Sequence, residues 1–170
     1  MATPWPRRVA GASMALLAGV GLVGNVVDER TQGEQVARTI AGAAGPDDVV
    51  AVCPDQLGPA TLRALPEDLP AFGLPALDRP ERIDWRDYRE RNESADPADA
   101  VEALLDRAGG AGTVWLVINP GYRTYEGYCE AVLAGLQTAR PATELVVEGR
   151  PGRVFEAMHL YRFVPSADGS

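Results

Sequence analysis

The chain has 170 residues, enough for one domain of ordinary size, with a formal net charge of −8. An acidic balance of that size excludes a phosphate-binding basic footprint, so no nucleic-acid partner is expected. All 16 basic residues are Arg.

In chain order, the first feature is the uncharged stretch Val9–Val27, VAGASMALLAGVGLVGNVV. As a helix at 1.5 Å per residue it reaches about 30 Å, the hydrocarbon thickness of a bilayer. Arg7 and Arg8 precede it, and Asp28 and Glu29 follow it. The positive-inside rule then puts the N-terminus in the cytoplasm and the rest outside. Residues 1–30 are expected to form a cytoplasmic stub and one transmembrane helix, in a plasma-membrane, single-pass arrangement. A cleaved signal peptide and a buried soluble helix are the rival readings. Residues 31–165 are expected to form an extracytoplasmic α/β domain, and 166–170 a disordered tail.

The segment Arg30–Ala44 carries Val36 and Ile40 at helical spacing and ends at Gly45-Pro46. Val49–Val52 is an apolar, β-branched run that reads as a buried strand. Cys53-Pro54-Asp55-Gln56-Leu57-Gly58 follows as a polar loop, and Pro59 opens a short helix over Ala60–Leu65. Ala71–Leu74 reads as a short strand inside a proline-rich stretch. Ile83–Asn92 reads as an amphipathic turn or short helix with Trp85, Tyr88 and Ile83 folded inward. Ala98–Ala108 is a helix with Val101, Leu104, Leu105 and Ala108 on its buried stripe, stopped by Gly109-Gly110.

Val114–Ile118 reads as a strand covered on both faces, and Asn119-Pro120-Gly121 stops it. A helix from Tyr125 follows, with Tyr128, Ala131, Val132 and Leu136 on one side. Glu144–Glu148 and Phe155–Val164 read as strands, the last of them antiparallel at the sheet edge. The order implies an α/β fold in three layers, with a mostly parallel, Rossmann- or flavodoxin-like sheet and an antiparallel edge strand. No GxGxxG or Walker A pattern is present, and no cofactor is expected.

Cys53 closes one apolar run and Cys129 follows the other. If the two strands are parallel neighbours, both cysteines lie at one carboxyl edge and a disulfide is easily formed. Two free buried thiols, or a reactive thiol, are the alternatives. One His and no CxxC leave little for a metal site, and none is expected. The two carboxyl-edge loops offer Asp55, Gln56, Asn119, Tyr122 and Arg123 as polar ligand-binding candidates, because ligands of open α/β sheets bind at that edge. The competing reading is that these residues cap helices and tie the loops together. No residue stands out as catalytic.

Three segments carry a resemblance: Asp48–Pro59 (DVVAVCPDQLGP), Ile83–Tyr88 (IDWRDY) and Asn119–Tyr125 (NPGYRTY), with His159–Phe163 (HLYRF) at the close. Together the chain resembles the extracytoplasmic C-terminal domain, with the last membrane helix, of actinobacterial polytopic glycosyltransferases of the GT-C type, the protein-mannosyltransferase-like group. The resemblance implies transfer of a sugar from a polyprenyl-phosphate carrier, in a larger system with a polytopic glycosyltransferase core as partner. Such enzymes use an acidic residue in an early external loop between membrane spans. This chain contains no such loop, so no catalytic residue carries over. The expected function is that of an accessory domain, with a stand-alone binding module for a small polar or anionic ligand as the alternative.

Overall fold

The runs Val49–Cys53 (β1) and Val114–Ile118 (β3) pair in parallel along their whole length, Val49 opposite Val114 and Cys53 opposite Ile118. Every residue of both strands is buried, as unbroken apolar runs require. This pair is the centre of a computed structural model that describes residues 9–14, 16–17, 30–119, 121–122 and 127–165. Two units separate by contact, residues 1–30 and residues 31–170. In the first, residues 9–14 and 16–17 are helical and exposed. The remainder of the expected membrane span lies outside the described residues. Among the described residues, no helix is long and apolar enough to cross a membrane.

The second unit is a mixed α/β fold on one five-stranded sheet of order β2-β1-β3-β5-β4. β2 (Ala71–Gly73) adds in parallel to β1, and its three residues keep that edge short. β5 (His159–Phe163) runs antiparallel to β3 and to β4 (Thr143–Val147). β1, β2, β3 and β4 share one direction and β5 alone runs against them, as a mostly parallel sheet requires, so the correction concerns the expected edge position of the antiparallel strand. Two of the four pairings are antiparallel, and the last strand lies inside the sheet and not on its edge. The burial of the two strands gives the reason. β5 buries Leu160 and Phe163 on opposite faces, whereas β4 exposes Glu144 and Leu145 and suits an edge. A register shift between Leu145 and Val147 irregularises that edge and discourages further pairing.

Helices cover both faces. α1 (Gly33–Ala41) and α2 (Gly58–Leu62) lie on the face that holds Val50, Val52, Trp115, Val117 and Leu160. α4 (Pro97–Ala108) and α5 (Tyr128–Ala139) lie on the face of Ala51, Leu116, Ile118 and Phe163. The period-two alternation of β1 and β3 thus feeds two separate apolar clusters. A six-residue helix, α3 (Tyr88–Glu93), and a 3-10 turn over Asp55–Leu57 complete the set.

Several local expectations hold and several are corrected. In α1, Val36, Ala37 and Ile40 are fully buried. α4 starts at Asp96, whose carboxylate accepts from the Ala98 amide at 2.8 Å, with Pro97 at the first helical position. It ends at Gly109 with φ 59°, a backbone that glycine adopts without strain. The buried stripe of α5 is Cys129, Val132 and Leu136, with Leu133 beside it. Ala131 is exposed, because a stripe phased on Cys129 turns it outward. The expected helix start at Tyr125 and the expected tail over 166–170 lie outside the described residues. Trp85 is 63 % exposed and does not fold inward, while Tyr88 does. Phe155, expected in the last strand, is 89 % exposed in the turn before it.

Candidate functional site

The carboxyl edge of β1 and β3 carries the two loops that the sequence singles out. Cys53 ends β1, Cys129 sits in the first turn of α5, and a disulfide joins them with Cα atoms 5.7 Å apart. The parallel register makes this possible, since it brings the ends of both strands to the same level. Above the bridge, the Asn119 amide donates to the Cys53 carbonyl at 3.3 Å.

The first loop is closed. Asp55 is buried, and its carboxylate accepts from the Tyr88 hydroxyl at 3.0 Å. Gln56 donates to the same phenol oxygen at 2.9 Å. Pro80 lies over this loop so tightly that a Cβ on Gly58 would come within 2.4 Å of it, and one on Gly73 within 2.7 Å. Burial raises the pKa of Asp55, and the Tyr88 hydrogen bond opposes the rise without cancelling it. Asp55 and Gln56 therefore act as a clasp that holds residues 83–93 across the sheet edge. Trp85 lies against it with its ring tilted, 5.0 Å from the Tyr88 ring.

Of the second loop, Asn119, Gly121 and Tyr122 are described. Asn119 accepts from the Gly121 amide at 2.8 Å, which fixes the turn, and Tyr122 donates to Glu156 at 3.4 Å. Asn119 and Tyr122 line a hollow of about 460 Å³ with Pro151, Gly152, Val154 and Phe155. Burial raises the Tyr122 pKa, and the neighbouring Glu156 carboxylate raises it further, so the phenol stays a donor. The structure thus separates the expected cluster. Asn119 and Tyr122 share the hollow, whereas Asp55 and Gln56 do not line it. Arg123 lies outside the described residues. His159, in β5, accepts from the Gly149 amide at 3.3 Å and serves the turn before that strand. Among the described residues, no group of three or more His, Cys, Asp or Glu side chains is placed to hold a metal ion.

Three buried polar residues escaped sequence reading, and each has a structural task. Asp48, at the start of β1, accepts from the Thr113 amide at 2.8 Å, the Trp115 indole at 2.9 Å and the Gly45 amide at 3.0 Å. Burial pushes its pKa up, but these hydrogen bonds outweigh it and hold the carboxyl below its ordinary value. Arg140 ends α5 buried, donating to the carbonyls of Phe163 at 3.3 Å and Gly109 at 3.0 Å. Gln32 is 1 % exposed, accepts from the Arg150 and Met158 amides, and donates to the Glu148 carbonyl at 3.1 Å. A readable signal existed for Asp48: a tryptophan inside a fully buried strand needs an acceptor for its indole.

No family model, no curated protein and no solved structure matches this chain.

Proposed function

We propose that this chain is a membrane-anchored extracytoplasmic domain that serves a polyprenyl-phosphate-sugar-dependent, mannosyltransferase-like membrane glycosyltransferase and transfers no sugar alone. The observation that carries the reading is the Cys53–Cys129 disulfide, which joins two buried cysteines at the heart of the domain. Such bonds persist outside the cytoplasm and are reduced within it. The uncharged stretch Val9–Val27, with Arg7 and Arg8 before it and Asp28 and Glu29 after it, supports the same orientation. The link to sugar transfer rests on the resemblance of the segments around Asp55, Trp85 and Tyr122.

The accessory role is supported by what the two buried carboxylates of the domain do. Activating an acceptor hydroxyl needs a carboxylate within hydrogen-bond reach of it. Asp55 is clasped by Tyr88 beneath Pro80, and Asp48 is saturated by three donors on the opposite edge of the sheet. A second reading, a stand-alone module that binds a small polar or anionic ligand, is favoured by the hollow at Asn119 and Tyr122.

Alkaline phosphatase fused after Ser170 tests the orientation: activity is expected, and a well-expressed but inactive fusion overturns it. Purified chain given polyprenyl-phosphate sugars and acceptor tests the role. No product above background is expected. Turnover that Asp55→Asn abolishes would show the chain to be an enzyme.

A further inference from the structure

A second concavity lies on the other side of the molecule from α1 and α2. It is an open groove of about 570 Å³ between α4 and α5. Its apolar floor is built at helical spacing, from Ala98, Val101 and Leu105 on one helix and Ala131 and Gly135 on the other. The Val101 side chain packs directly on Gly135 there: a Cβ on Gly135 would come within 2.8 Å of a Val101 methyl. Two packed helices with small residues between them present a trough into which the ridge of a third helix fits.

The rim is acidic. Asp96, Glu102 and Asp106 edge the groove. Asp96 is explained by capping α4. Helix stability does not explain Asp106, which sits in the last turn of α4 at the negative end of its dipole. Neither Glu102 nor Asp106 enters an ion pair among the described residues. The nearest cation on α4, Arg107, is drawn away onto the Phe72 ring, 4.7 Å from its centroid. The field reaches the neighbouring phenol too. Tyr128 is pushed up to about 12, by burial first and then by the Asp96 and Asp99 carboxylates.

We propose that this groove docks an amphipathic α-helix of a partner protein, one that carries Arg or Lys along the flanks of its apolar face. The apolar floor takes the buried side chains, and Glu102 and Asp106 take the cations at the rim, where pairing steers and orients more than it tightens. The same rim repels anionic lipid and nucleic acid. The groove shares no lining residue with the hollow at Asn119 and Tyr122, and the proposal stands whether or not the accessory-domain reading does.

The test uses the full chain in zwitterionic nanodiscs and a fluorescein-labelled model helix with Leu along one face and Arg on both flanks. Empty discs correct for lipid binding, and anisotropy reads the affinity. Reversing the rim with Glu102→Arg/Asp106→Arg is expected to weaken binding about tenfold or more, a difference of about 1.4 kcal/mol. Ala131→Phe, which fills the groove from an exposed position, is expected to do the same. Glu67→Arg/Asp68→Arg, exposed beside the opposite apolar cluster, should leave binding unchanged. Thermal melts confirm that each variant is folded. Equal binding by all variants overturns the proposal. So does equal weakening by the Glu67/Asp68 pair, which would mean unspecific charge attraction. Self-association abolished by Ala131→Phe, with no binding of the model helix, overturns it in favour of a second copy of the chain.

Discussion

Asp48→Ala should be among the most damaging single substitutions in this protein. The carboxylate ties the start of β1 to the residue before β3 and to the Trp115 indole. Removing it leaves two buried donors, the Thr113 amide and the Trp115 indole, without that acceptor, and Trp115 is only 1 % exposed. At about 1–3 kcal/mol for each orphaned group, the expected loss is about 4 kcal/mol. With a urea m-value of about 2 kcal/mol/M, the unfolding midpoint should fall by about 2 M. Far-UV circular dichroism of the full chain in mild detergent reads this directly. The effect should be coupled: Asp48→Ala in a Trp115→Phe background should lose about 1–2 kcal/mol less than in the wild type, because one orphaned donor is already gone. It should also depend on pH. The folded-state pKa of Asp48 is lowered, so its contribution is complete above the unfolded value of about 3.9 and is lost as pH falls through the folded value. The gap between variant and wild type should therefore narrow below that point. A loss under about 1 kcal/mol, or strict additivity with Trp115→Phe, would refute this account of the amino edge.

Asp55 should behave in the opposite sense. Its folded-state pKa is raised by burial, so stability gained from protonating it is lost as pH rises through the folded value. Asp55→Asn, which keeps an oxygen for Tyr88, should be neutral or stabilising at pH 7 and should flatten the wild type's gain in stability toward pH 4; a marked loss at pH 7 would contradict this. Cys53→Ala/Cys129→Ala opens a loop with a sequence separation of 76. In the chain-entropy model it should lose about 4–5 kcal/mol, read by the same urea titration. Alkylation of the unreduced, denatured wild type should add no mass. Gln32→Ala should expose the Arg150 and Met158 amides to faster hydrogen exchange and lower stability by about 2–3 kcal/mol, whereas unchanged protection there would show that Gln32 is not the tether.

What could be read from the sequence follows from how local its cause is. β1 and β3 are unbroken β-branched runs bounded by Asp47-Asp48, Cys53-Pro54 and Asn119-Pro120, so their extent and burial were legible, and the cysteine pairing followed from them. α4 carried its own cap and stop in Asp96, Pro97 and Gly109. The position of β5 was not legible, because alternation in HLYRF shows that a strand has two faces and not which neighbours it takes. The partition of the carboxyl-edge residues was hidden for the same reason. Tyr88 and the approach of Pro80 to Gly58 and Gly73 close the loop of Asp55, and these contacts join separate segments of the chain. Asp48 reads locally as the polar lead-in to a strand, and its partner in the core is a tryptophan 67 positions away.

The place of β5 bears on how the protein comes into being. Among the described residues, β4 pairs with no strand other than β5, and β3 has no neighbour on that side until β5 arrives. Synthesis delivers β1, β2 and β3 first, at about 5–20 residues per second, and these can assemble while the rest is still being made. The half-sheet then waits with the edge of β3 bare, and an unpaired apolar edge is an invitation to aggregate. The final strand is what seals the emerging molecule. Nonsense or trimming mutations that remove residues 159–163 should therefore yield not a slightly shortened protein but one that never leaves the care of chaperones.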